Sequence, residues 1–128
     1  MSEYSPQAET LLKLWSCMSL NMRSVILRAR WLQQTAEQTG REDALEQQLR
    51  SRRVDAMYRQ VGREMRAFSA ADGVEKQFPE DSEVGPMGVG RFIDFRISED
   101  AIPELCVRLD SVDQLVQRLL ITLLTIRL

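Results

Sequence analysis

Apolar residues along the first third of the chain fall into a repeat that only a helix can use. Leu11, Trp15, Met18, Met22, Val25, Ala29, Leu32 and Ala36 follow one another at spacings of 4, 3, 4, 3, 4, 3 and 4. This is an a/d seam held for more than three heptads. At about 100° per residue, a second strip of Cys17, Leu20, Leu27 and Trp31 projects roughly opposite the seam. A helix with two apolar faces requires cover on both sides, from its own chain, a second copy or another protein. The seam is the expected core, with Trp15, Met18 and Met22 on the second helix. The opposite strip is the expected protein interface.

Ser5 is placed to cap this helix, Pro6 needs no donor at its first position, and Glu9 suits its positive end. Gly40 is suited to terminate it. At about 1.5 Å per residue the helix is close to 50 Å long. That exceeds the diameter of a compact domain of this size, so part of it is expected to protrude or meet another subunit.

A second helical pattern runs from about Arg41 to Phe68, with a phase break inside it. Val54, Met57, Val61, Met65 and Phe68 share one face, whereas Leu45 and Leu49 project to nearly the opposite side. The shift falls in Arg50-Ser51-Arg52-Arg53 and predicts a kink or two separate helices. Gly62, a weak helix former, suggests close packing or local softness.

Ser69 to Gly90 reads as a tether, with four of the six glycines, Pro79 and Pro86, and the acidic group Glu80, Asp81 and Glu83. A stretch this long is expected to be mobile or clamped by a partner. Arg91 to Ile97 alternates strictly, with Ile93, Phe95 and Ile97 on one face, as a half-buried strand does. Ser98-Glu99-Asp100 follows as a capping group, and Pro103 is tolerable only near a helix start. Ile102, Leu105, Leu109, Val112, Leu115, Val116 and Leu119 then recur at helical spacing. Asp110-Ser111 is a candidate restart, with Ser111 and Gln114 as a capping box. Ile121 to Ile126 fits either a helix or a strand that would pair with Arg91–Ile97. A strand left without a mate would pair with another chain.

The fold these patterns predict is mainly α. A long N-terminal helix packs on a kinked second helix, and a small C-terminal β-plus-α element completes the chain. The expected organisation is a helical hairpin over 1–70, a tether over 71–90 and the strand-plus-helix element over 91–128, together forming one compact domain.

Composition narrows the chemistry more than it identifies it. The 128 residues are 44% hydrophobic and 28% charged, a globular balance. The first ten residues are polar, so no signal peptide is expected. The most apolar run, Leu119 to Ile126, is far short of the ~20 residues of a membrane span. A cytoplasmic protein without a membrane partner is the expectation. Two free, buried thiols, Cys17 and Cys106, are the simplest reading of the cysteines, and one intramolecular disulfide the other.

The chain has no histidine. That removes Ser-His-Asp and Cys-His catalysis, histidine zinc sites and the usual general base near neutral pH. Gly85-Pro86-Met87-Gly88-Val89-Gly90 lacks the Lys-Ser/Thr of a phosphate loop and precedes a strand. Glu99, Asp100 and Glu104 read as helix-start carboxylates rather than a metal or general-acid group. Glu80, Asp81 and Glu83 lack calcium-loop spacing. No catalytic, cofactor or metal site is expected, and the protein is read as not an enzyme.

Charge is uneven along the chain. Leu11–Arg66 carries 11 basic against 6 acidic side chains, while residues from Gly73 onward carry 6 basic against 10 acidic. Fifteen of the 17 basic residues are Arg, suited to bidentate contact with carboxylate or phosphate. On one continuous helix, Arg52, Arg59, Arg63 and Arg66 fall within about 60° of one another. Arg50 and Arg53 add charge at the phase break. Such a ridge could track a phosphate backbone; the simpler reading is a solvated face, since Asp55 can pair with Arg52 and Arg59. The leading expectation is a small helical subunit or adaptor, with itself or a larger protein as partner. The alternative is a nucleic-acid-contacting subunit using the Arg ridge.

Overall fold

The heptad seam forms the helix it predicts. The computed structural model describes residues 6–70, 74–77, 94–97 and 99–128; Ser5 and most of the tether lie outside them. Helix α1 spans Pro6–Thr39. Gly40 ends it with φ of 67°, and the Arg41 N–H donates to the Ala36 carbonyl at 2.8 Å. This is the left-handed glycine stop that satisfies an orphaned helix carbonyl.

The phase break resolves into two helices, α2 (Glu42–Ser51) and α3 (Val54–Ser69). Arg53 joins them in the left-handed conformation, with φ of 56° and ψ of 38°. For a residue with a Cβ this costs on the order of 1 kcal/mol. The re-aimed chain offsets that cost by turning Leu45 of α2 and Val54, Val61 and Phe68 of α3 into one core.

The last helix, α4, spans Ile102–Leu124, with Pro103 in its first turn, where its missing N–H is harmless. It runs unbroken through Asp110-Ser111, so no capping box forms there; Gln114 donates instead to the Asp110 carboxylate at 2.9 Å. Apolar positions before and after Ser111 fit one continuous face, which leaves nothing for a restart to correct. Its start carries no side-chain cap; a 3-10 turn over Glu99–Ala101 leads into it instead. Ile121 continues this helix, so the last apolar run offers no mate to the strand.

The strand is Asp94–Ile97 (β2), paired antiparallel with Val74–Gln77 (β1), Val74 opposite Ile97 and Gln77 opposite Asp94. Part of the expected tether is therefore strand. The fold is mainly α, and no separate C-terminal β-plus-α element forms, because α4 joins the bundle as a full member.

Side-chain contacts fix the helix directions. Asn21 meets Asp113, and Arg28 reaches the carbonyls of Leu123 and Ile126, so α1 and α4 run parallel. Trp15, near the start of α1, stacks on Phe68, near the end of α3, with ring centroids 5.7 Å apart. Hence α3 runs antiparallel to α1, and the bundle is up-down-up with α2 across its far end. Leu11, Met18, Val25, Leu32 and Ala36 are all buried, so α1 is covered on its core face along its whole length. From Leu11 to Ala36, then, the core face of α1 does not stand free of the bundle.

Candidate functional site

Two of the expected surfaces can be placed residue by residue. The strip opposite the seam is open to solvent: Leu20 is 64%, Leu27 55% and Trp31 50% exposed, and Cys17 is exposed beside them. The expectation of two buried thiols therefore fails at Cys17, whose position on α1 points away from the core face. Cys106 is partly buried, which pushes its thiol pKa up, and both cysteines are free.

Trp31 is held in place as well as exposed. The Arg28 guanidinium lies 4.3 Å from its ring centroid, a cation–π geometry. The same guanidinium donates from Nε to the Leu123 carbonyl and from Nη2 to the Ile126 carbonyl, each at 3.4 Å. Leu123 lies in the last turn of α4 and Ile126 just beyond it, the negative end of the helix dipole, where a cation is favoured. One cation thus ties α1 to the end of α4 and braces the indole. Exposed aromatic anchors with restricted rotamers are the residue type that dominates interface energetics.

The arginine ridge is only partly assembled. Arg59, Arg63 and Arg66 share an exposed face of α3. Arg52 and Arg53 sit in the turn before it, and Arg50 sits on α2. The helix break removes Arg52 from the arc that one continuous helix would give it with Arg59, Arg63 and Arg66. Arg50 pairs with Glu46 at 2.8 Å and Arg59 with Asp55 at 2.9 Å. Asp55 therefore serves Arg59 alone, because Arg52 is no longer one helical turn away. Arg63 and Arg66 have no ion pair among the described residues. The strip on α1 and the remaining ridge on α3 are separate surfaces.

Sequence patterns miss a polar contact inside the bundle. Asp113 is 6% exposed and accepts from Asn21 Nδ2 at 3.0 Å and Gln117 Nε2 at 2.7 Å. Two amide donors, and no cation among the described residues, satisfy its two oxygens. The available signal was an acid beside the Leu109–Val112–Val116 face with an amide one turn later.

Among the described residues no group of three or more His, Cys, Asp or Glu side chains could hold a metal, and no helix is long and apolar enough to cross a membrane. Comparison with protein-family models, with characterised proteins and with solved structures returns no match.

Proposed function

We propose that this chain is a non-enzymatic interaction protein, a small helical subunit or adaptor that docks through the outer face of α1 to a second copy or a larger protein. One observation carries the reading: Leu20, Leu27 and Trp31 stand half or more exposed on a helix whose opposite face buries Leu11, Met18, Val25, Leu32 and Ala36. Covering such side chains stabilises an assembly by about 1–2 kcal/mol each, and the braced Trp31 loses little rotamer freedom on binding. The sequence holds no histidine, so it lacks the usual general base near neutral pH, in keeping with a binding role.

A second reading places α3 on nucleic acid, supported by Arg63 and Arg66, which stand exposed and without an ion pair among the described residues. Light-scattering mass after gel filtration, with and without a mixed oligonucleotide at low salt, separates the two. A species larger than one chain that ignores the oligonucleotide is the expected result. A monomer that shifts only with the oligonucleotide replaces the first reading with the second.

A further inference from the structure

An open cleft of about 500 Å³ lies where α1, α2 and α3 meet, a volume typical of small-molecule sites. Its floor is apolar: Ala29 and Leu32 of α1, Leu45 and Leu49 of α2, Val54 of α3 and Leu123 of α4. The cleft follows from the helix break. Turning at Arg53 brings Leu45 and Leu49 to the same cleft as Ala29 and Leu32 of α1 and Val54 of α3. Gly40 and Arg53, the two positive-φ residues among those described, bracket α2, so the wall is set by backbone turns at both ends. Gln48 fixes that wall from outside, donating to the Arg127 carbonyl at 2.6 Å and accepting from the Arg127 N–H at 3.4 Å.

The rim defines the ligand. Its acids are already matched, Glu46 by Arg50 and Asp55 by Arg59, so the mouth selects for neither a cation nor an anion. The Gln33 amide donates to Glu37 at 3.0 Å. Tyr58 is different: it lines the cleft half-buried, and its hydroxyl makes no hydrogen bond among the described residues. Its hydroxyl keeps its proton at neutral pH, as any tyrosine does, and burial pushes its pKa further up. We propose that this cleft binds a small, uncharged, mainly apolar molecule whose carbonyl or ether oxygen accepts from the Tyr58 hydroxyl. The site uses the inner side of α1 and does not depend on the outer face proposed above.

A matched pair of probes tests both halves of the proposal on the full chain. 2-Acetylnaphthalene has the acceptor and 2-ethylnaphthalene lacks it. Both should bind, with amide shift changes in a two-dimensional NMR spectrum centred on Ala29, Leu49 and Val54. The ketone should bind about threefold to tenfold more tightly, the value of one net hydrogen bond. Tyr58→Phe should erase that preference while keeping the hydrocarbon's affinity. Ala29→Leu, which fills the floor, should weaken both probes about tenfold or more. The shift map decides the location even if that variant folds poorly. Absence of binding at millimolar probe, equal affinity of the two probes for the unaltered chain, a preference that survives Tyr58→Phe, or shifts centred on Trp31 instead of the cleft would each overturn the assignment.

Discussion

Helix α1 carries two apolar faces of similar residue types, and they have opposite fates. Leu11, Met18, Val25, Leu32 and Ala36 are almost wholly buried, whereas Leu20, Leu27 and Trp31 remain half or more exposed. Hydrophobicity alone does not separate them. The difference is supply: α4 and α2, with Phe68 of α3 against Trp15, cover one face, and no described element covers the other. The inner face therefore stabilises the fold, and the outer face is free to stabilise something else.

The sharpest way to break this contrast is to damage the inner face. Leu32→Ala should lower the unfolding free energy by about 2–5 kcal/mol, because neighbours on both sides cannot collapse into the void; urea denaturation followed by circular dichroism measures it. Next in size is the polar contact between α1 and α4. Asn21→Ala should cost about 1–3 kcal/mol by leaving one Asp113 oxygen buried without its donor. Replacing both partners, Asn21→Leu with Asp113→Leu, should restore most of that loss in the same measurement.

On the outer face the same assay should hardly respond. Leu20→Asp should change stability by no more than about 0.5 kcal/mol, and Trp31→Asp by about 0.5–1 kcal/mol through loss of its contact with Arg28, when each is measured on the monomer. Reversing Arg59, Arg63 and Arg66 to Glu should be similarly mild for stability. If the second reading of function holds, it should abolish salt-sensitive oligonucleotide binding, read by fluorescence anisotropy.

The smallest effect concerns pH. Burial raises the pKa of Cys106 and Tyr58 above their ordinary 9.0 and 10.0, so the folded chain holds those protons more tightly than the unfolded chain. Their contribution to stability is complete below the unfolded values and is lost as pH climbs through the folded ones. The urea midpoint should decline above about pH 9, and less steeply in Tyr58→Phe with Cys106→Ser.

Much of the bundle was legible because it rests on local periodicity. The α1 seam, the Gly40 stop, the break near Arg52 and the placement of Pro103 all follow from spacing or backbone chemistry. What was not legible depends on where the helices meet. Ile121 to Ile126 has β-branched residues that suit a strand, but packing of Leu123 and Ile126 in the bundle outweighs that preference. Arg52 looked like part of a ridge only on the premise of an unbroken helix. The bracing of Trp31 by Arg28, the Asn21–Asp113 contact and the cleft beneath α2 join residues from distant parts of the sequence, and no periodicity reports them.

The most direct test of the two-face account uses the chain's own thiol. A benzophenone attached to Cys17, in a chain carrying Cys106→Ser, places a photocrosslinker on the outer face without touching the core. Irradiation at working concentration in an extract of the expressing cells should give one discrete adduct, to a second copy or to another protein. Leu20→Asp and Trp31→Asp should each remove that adduct while the helical spectrum is kept. The same adduct yield in both variants, or no adduct at all, would contradict an interface on this face of α1.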